Sequence, residues 1–158
     1  MADGQAGVGL DTQFSHVVIA VSDMDRALAF YRDVLGMDIV FDQEFTGDPF
    51  TGRAVGGLVG GASIELLYAP TQVSDERTGS SYKPVGMQVL SFSVPDLDQA
   101  YAALEAAVGD RVQQPFDVED VRMFFVTDPD GTVLEFVEFP GGARNPAELH
   151  RVVPDGEA

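Results

Sequence analysis

Three side chains stand out because each could do chemistry from within an apolar stretch of sequence. His16 begins an apolar run, and Glu65 and Glu135 each have apolar residues on both sides. A carboxylate that faces a cavity needs a metal ion, an arginine or a proton to offset its loss of water. The alternatives are glutamates on the solvated face of an alternating strand and a histidine satisfied within the core. If the three side chains converge, one imidazole and two carboxylates suit a divalent cation that keeps open water positions.

Composition narrows the chemistry further. The chain of 158 residues has no cysteine and only two histidines, so a metal site must use carboxylates, and thiolate sites are excluded. Lys and Arg number 9 against 26 for Asp and Glu, which gives a formal net charge of -17. Such a surface repels phosphate backbones and anionic lipids, so we expect neither nucleic acid nor a membrane as a partner. The N-terminus lacks the basic and apolar regions of a signal peptide, which predicts a cytoplasmic protein.

The first half of the chain is predicted to contain four strands and one helix. Ser22 is the predicted N-cap of the helix, which carries apolar residues at helical spacing until Gly36 ends it. Gly60-Gly61 predicts a two-residue hairpin between the last two strands. The strands are predicted over residues 14–21, 37–41, 53–58 and 62–69, with a loop over residues 42–52.

The second half repeats this order of elements. A helix opens at Pro95 and ends before Gly109, and the turn Asp128-Pro129-Asp130-Gly131 precedes the last strand. The segment that begins at Val21 returns at Val94, and the segment around Glu65 returns around Glu135 at nearly the same offset. Two repeated segments in the same order predict two βαβββ modules and an α+β fold. The strands of this half are predicted over residues 87–94, 112–116, 121–127 and 132–139.

The repeat also predicts the organisation of the chain. The two modules are expected to form one domain with a polar linker between them and a tail at each end. The boundaries are a tail over 1–13, a first module over 14–70, a linker over 71–86, a second module over 87–140 and a tail over 141–158.

Three segments carry a resemblance to a known family. Residues 15–25 read SHVVIAVSDMD, residues 27–36 read ALAFYRDVLG, and residues 127–136 read TDPDGTVLEF. On these segments the chain resembles the vicinal oxygen chelate superfamily, which includes glyoxalase I, methylmalonyl-CoA epimerase, extradiol dioxygenases, fosfomycin-modifying enzymes and bleomycin-binding proteins. The resemblance covers roughly residues 14–140 and implies a cup-shaped mixed sheet built from the two modules.

The resemblance also implies a site. Members often place ligands on the first and last strands of each module, and those positions fall on His16, Glu65 and Glu135. The resemblance therefore implies that these three residues bind a divalent metal ion (Mg, Mn, Fe, Co, Ni or Zn) and are also the catalytic residues. No residue is expected to bind an organic cofactor.

One expected ligand is missing from the pattern. In glyoxalase-like members a histidine of the second module supplies the fourth ligand, and the position here that corresponds to His16 in the repeat is Val89. The neighbouring Gln88 points to the opposite face unless a bulge shifts the register. His150, in the C-terminal tail, is an alternative source of a ligand. The sequence thus leaves both a metal site and a metal-free site open.

These features predict a small-molecule enzyme of the glyoxalase type. With a metal, the expected reaction is proton abstraction next to a carbonyl, as in an isomerase, epimerase or lyase. The alternative is a metal-free member that binds or transforms a small hydrophobic metabolite. A third hypothesis, a pure interaction module, predicts a dry, filled cup with no titratable residue inside, and a structure with Glu65 and Glu135 on the solvent face would support it. We expect a homodimer and a small-molecule substrate.

Overall fold

The order βαβββ occurs twice in the structure, a computed structural model that describes residues 13–47, 51–70, 86–87 and 89–150. The predicted linker and N-terminal tail lie outside the described residues apart from Gly86 and Gln13. The first module contains β1 (Val17–Ala20), α1 (Met24–Tyr31), β2 (Asp38–Phe45), β3 (Gly52–Val59) and β4 (Ala62–Tyr68). The second contains β5 (Leu90–Ser93), α2 (Leu97–Val108), β6 (Phe116–Val118), β7 (Val121–Thr127) and β8 (Val133–Glu138), and α3 (Pro146–Leu149) follows.

Each module folds into a four-stranded sheet with the same strand order. The order is β1-β4-β3-β2 in the first sheet and β5-β8-β7-β6 in the second. The first strand of each module runs parallel to the last, with Val18 opposite Glu65 and Ser91 opposite Glu135. The other pairs are antiparallel, so both sheets are mixed. The predicted α+β fold of two βαβββ modules is confirmed.

Both main helices begin at an aspartate cap. The Asp23 carboxylate accepts a hydrogen bond from the Arg26 backbone N–H, and the Asp96 carboxylate accepts one from the Gln99 N–H. The prediction that Ser22 caps α1 was therefore wrong by one residue. Ser22 instead binds a residue of the second module, which local sequence cannot reveal.

The first helix also ends earlier than predicted. The regular helix ends at Tyr31. Two of the backbone hydrogen bonds that follow span five residues instead of four: Asp33 N–H donates to the Leu28 carbonyl, and Leu35 N–H donates to the Phe30 carbonyl. Gly36 follows with a positive φ of 73°. The glycine reverses the chain as predicted, but a widened turn separates it from the helix.

Several strands differ from the predicted bounds: β1 and β5 are shorter than predicted, and His16 lies just before β1. Two others differ because their pairing partners decide where they end. β2 continues through residues 42–45, where a loop was predicted, because β3 offers backbone partners as far as Gly52 opposite Phe45. In the second module the strand predicted over 112–116 is found at Phe116–Val118, and Val112 makes only a single bridge to Val126. The hairpin at Gly60-Gly61 is confirmed, since both glycines have positive φ, 54° and 82°.

One core joins the two modules. Tyr31 and Phe30 of α1 and Phe124 of β7 are fully buried in the same cluster. Phe124 stacks on Phe136 with ring centroids 5.3 Å apart. The helices and the inner faces of both sheets therefore pack together, and the outer sheet faces remain for other contacts. No helix in the described part of the chain is long and apolar enough to cross a membrane.

Candidate functional site

His16 and Glu65 come together on the outer face of the first sheet. Val18 lies opposite Glu65 and is 46% exposed, whereas its neighbour Ile19 faces the core. His16 precedes Val18 by two positions and therefore shares its face. The His16 Nε2 atom lies 3.8 Å from Glu65 Oε2, with side-chain exposures of 40% and 25%. The other ring nitrogen, Nδ1, lies 2.8 Å from the Ser15 hydroxyl.

This arrangement leaves Nε2 suited to a ligand. A distance of 3.8 Å is longer than a hydrogen bond, so the imidazole and carboxylate are near but not bonded. When Nδ1 carries the ring proton, it donates to the Ser15 oxygen, and Nε2 then presents a lone pair toward Glu65. A hydrogen bond of this kind on the second nitrogen fixes the tautomer of metal-binding histidines.

Glu135 occupies the matching place in the second sheet but has a different partner. The Ser91 hydroxyl, directly opposite on β5, donates to Glu135 Oε2 at 2.6 Å. Ser91 was not among the predicted site residues. The repeat carries a signal for it, because Ser91 corresponds to Val18 in the same way that Val89 corresponds to His16.

An aromatic ring lies beside each glutamate on the same sheet face. In the first module Gly56 lies opposite both Glu65 and Phe41, and a Cβ added at Gly56 would overlap the Phe41 ring. In the second module Phe125 lies opposite Glu135, and its ring centroid is 5.7 Å from that of Phe116. Each carboxylate is therefore half-buried against an apolar surface.

One chain does not bring the three predicted ligands to one place. Among the residues that the structure describes, no group of three or more His, Cys, Asp or Glu side chains is placed to hold a metal ion. His16 and Glu65 belong to the first sheet, and Glu135 belongs to the second. The chain thus presents two separate pairs, His16 with Glu65 and Ser91 with Glu135.

The positions considered for a fourth ligand do not complete either pair. Val89 is half-buried just before β5, Gln88 lies outside the described residues, and His150 is exposed after α3. The glutamates are neither in the core nor freely solvated, because both are half-buried and Glu135 is hydrogen-bonded. That environment differs from the open solvent face expected of a pure interaction module.

A polar clamp between the modules fixes the start of α1. The Asp130 carboxylate accepts hydrogen bonds from the Ser22 backbone N–H at 2.9 Å, the Ser22 hydroxyl at 2.5 Å and the Arg26 guanidinium at 2.9 Å. Partial burial works to raise the pKa of Asp130, but these hydrogen bonds and the Arg26 charge outweigh it and lower the pKa. The predicted turn at Asp130 is confirmed and also connects the two modules.

Two arginines on the third strands pair with acidic residues, as the excess of acidic side chains favours. Arg53 forms a two-pronged contact with Asp42 at 2.7 and 2.9 Å, and Arg122 contacts Asp98 at 2.9 Å. These hydrogen bonds lower the pKa of Asp42 and of Asp98. Both guanidinium groups are therefore partly occupied by carboxylates of the same chain.

A cleft of about 450 Å³ lies elsewhere, where α1 begins and β2, β3 and β4 meet. It does not contain His16, Glu65 or Glu135. Its charged lining is formed by Asp23, Asp25, Glu44 and Arg53. Within this lining Arg53 is paired with Asp42 and lies 3.8 Å from Asp25.

Comparison with known proteins identifies the family. Residues 13–136 match the profile of the Glyoxalase/Bleomycin resistance protein/Dioxygenase superfamily. The chain belongs to this superfamily. A lactoylglutathione lyase of Haemophilus influenzae is 33% identical over 133 residues, which cover 80% of this chain and 92% of that protein. The resemblance inferred from the sequence is thereby confirmed.

Solved structures of the glyoxalase superfamily share the fold. A glyoxalase family protein from Enterococcus faecalis has a TM-score of 0.67 at 21% identity and covers 81% of this chain and 98% of its own. The fosfomycin resistance protein FosX from Listeria monocytogenes, complexed with Mn(II) and sulfate, has a TM-score of 0.59 at 14% identity and covers 82% and 93%. The relatives named lactoylglutathione lyase are enzymes of the lyase class.

Proposed function

We propose that this member of the glyoxalase superfamily is a metal-assisted lyase or isomerase that removes a proton from a carbon next to a carbonyl. The observation that carries the proposal is the His16–Glu65 pair, with Nε2 and Oε2 separated by 3.8 Å on an outer sheet face. Metal–ligand bonds of about 2.1 Å allow two such atoms to bind one cation. The donor set of one imidazole nitrogen and carboxylate oxygens suits Mn, Fe, Co, Ni or Zn.

A second copy of the chain is proposed to complete the site. Among the described residues His16 and Glu65 lie together in the first module, and Glu135 belongs to the second. Exposed apolar side chains lie on the same faces, with Val18 46%, Phe41 36% and Phe116 40% exposed. Pairing the outer face of one module with that of another copy would bury these side chains and bring Glu135 to the His16–Glu65 pair.

In the proposed reaction each protein group has a separate role. A bound divalent cation would polarise the substrate carbonyl and stabilise the negative charge that develops when the proton leaves. His16 and Glu65 hold that cation, and Glu135 accepts the proton as general base. Phe41 and Phe125, beside the two glutamates, exclude water from the reacting carbon.

Lactoylglutathione is the first substrate to test, because it is in the name of a relative that is 33% identical. It carries a hydroxyl and a thioester carbonyl on adjacent carbons. Glu135 would take the proton from the hydroxyl-bearing carbon and return it to the carbonyl carbon, while the hydroxyl proton moves to the other oxygen. The product is a hemithioacetal isomer that separates into a thiol and a dicarbonyl compound, so all atoms are conserved. Because the thioester is much the more stable isomer, the reaction is measured in reverse, as lactoylglutathione formed from methylglyoxal and glutathione.

The deciding experiment is complementation between two variants. After loading with Mn(II), Ni(II) or Zn(II), H16A and E135Q should each fail to form S-lactoylglutathione from methylglyoxal and glutathione. If two copies share each site, mixed dimers contain one intact site of two, so an equal mixture should recover about a quarter of wild-type activity. E44Q, which changes a glutamate away from the site, is the matched control and should keep full activity.

The outcomes separate the hypotheses. An active wild type whose H16A and E135Q mixture stays inactive would contradict a site shared between copies. Mn(II) binding that is equal in wild type, H16A and E65Q would contradict the metal site. The metal-free alternative, a binder of a small hydrophobic metabolite, is favoured by Val89 at the fourth-ligand position. It predicts no metal uptake and unchanged ligand binding in H16A.

A further inference from the structure

We propose that Ser91 is a positioning residue that holds the carboxyl group of Glu135 in a fixed orientation. The inference rests on the proposed function, in which Glu135 is the base. In the second module a serine–glutamate contact stands where the first module has its histidine–glutamate pair. The contact is the 2.6 Å hydrogen bond from the Ser91 hydroxyl to Glu135 Oε2.

The repeat shows how the two modules differ. In the first module Val18 lies opposite Glu65, and the polar partner of Glu65 is His16, two positions earlier. In the second module Ser91 lies opposite Glu135, and the position two places earlier is Val89. The polar partner has thus moved from the flanking position to the directly opposite position. A nitrogen ligand is lost, and a hydroxyl contact to the carboxylate is gained.

A hydroxyl suits a general base better than an imidazole in this place. The Ser91 oxygen donates a hydrogen bond to an ionised carboxylate and can accept one from a protonated carboxyl. The contact can therefore persist after Glu135 has taken a proton. Because it uses Oε2, the other oxygen, Oε1, is left to approach the substrate. The short serine side chain has few rotamers to lose, which keeps the geometry defined.

Stability does not explain this contact. Ser91 is exposed and Glu135 is only half-buried, so water can replace the bond at little cost to folding. Ser93, two positions along β5, is also exposed on the same face and has no side-chain hydrogen bond among the described residues. The two serines are thus alike in exposure and sheet face, but only Ser91 is hydrogen-bonded to a carboxylate among the described residues.

The test compares S91A, S91T and S93A in the full chain. The first readout is the carbon-13 NMR signal of the Glu135 carboxyl group in metal-free protein, assigned by its loss in E135Q. S91A should shift this signal, S91T should restore it, and S93A should leave it unchanged. Circular dichroism and thermal unfolding establish that each variant is folded.

The second readout is the rate at which S-lactoylglutathione forms from methylglyoxal and glutathione. S91A should lower kcat about 10- to 100-fold with KM changed less than about twofold, because a misplaced base slows the chemical step. S91T should recover most of the loss. A Glu135 signal that is the same in S91A and wild type would overturn the proposal. If no metal gives the wild type any activity, the proposed function fails, and the NMR comparison still decides whether Ser91 holds Glu135.

Discussion

The buried contact between Tyr31 and Asp128 gives a sharp test of how the two modules hold together. Tyr31 of α1 is fully buried, and Asp128, in the turn before β8, is 2% exposed. The Tyr31 hydroxyl donates to Asp128 Oδ2 at 2.9 Å. The other oxygen, Oδ1, accepts from the backbone N–H groups of Asp130 and Thr132 at 2.9 and 2.7 Å. The side chain therefore fixes its own turn and anchors it to the first module.

Replacing Tyr31 with phenylalanine should destabilise the protein by about 2 kcal/mol, the usual size of a hydrogen bond to a charged group. The substitution keeps the ring in the core and removes only the hydroxyl, the group that donates to Asp128. The buried Asp128 Oδ2 atom loses its donor, and no water molecule replaces that donor. The full free energy of the hydrogen bond is therefore lost. For a domain of this size the loss corresponds to a decrease in Tm of roughly 4–8 °C.

The assay is urea unfolding of wild type, Y31F and the control Y101F, followed by circular dichroism. The Tyr101 hydroxyl contacts Glu105 and Gln114 in an exposed region. Water can replace those partners, so Y101F should change the free energy of unfolding by less than about 0.5 kcal/mol. An unchanged m-value would show that the folded state remains comparably compact. If Y31F and Y101F lose equally little stability, the Asp128 contact does not anchor the modules and the reasoning is wrong.

Two other substitutions test the sheet and the clamp. G57A should cost at least about 2 kcal/mol in urea unfolding, because its Cβ would overlap the Asp38 carbonyl of the neighbouring strand; a loss below about 0.5 kcal/mol would contradict this packing. D130N should remove part of the acid sensitivity of folding. The lowered pKa of Asp130 stabilises the folded state above its ordinary value of 3.8, and this contribution is lost as the pH falls through the lowered value. Wild type should therefore lose stability more steeply than D130N below about pH 4, and parallel curves would contradict the role of Ser22 and Arg26 as its donors.

The repeated architecture could be predicted because its signals are local and occur twice. Alternating apolar residues indicate strands, and the aspartates after Val21 and Val94 indicate helix starts. Because each element occurs once in each half, a segment with a weak pattern is supported by its counterpart in the other half. Strand ends were less predictable. Residues 42–45 join β2 only because β3 continues beside them, and sequence within the strand does not report its neighbour.

The sequence singles out the candidate site residues but does not give their arrangement. His16, Glu65 and Glu135 were identifiable as polar groups within apolar strands, and the family resemblance gave them roles. The pairing of Glu135 with Ser91 depends on the register of two strands that are distant in the chain. A change of one residue in that register would turn one of the two side chains to the other face of the sheet.

The sequence by itself determined the two-module fold, the family and the residue types available for chemistry. Composition and periodicity act locally, and they are the same wherever the chain places each strand. Only the tertiary structure decided that His16 and Glu65 form one pair and that Ser91 and Glu135 form another. The reason is that sheet register and the packing of the modules set distances between residues far apart in sequence. Those distances follow from the whole core, including the buried Tyr31–Asp128 contact that joins the two halves.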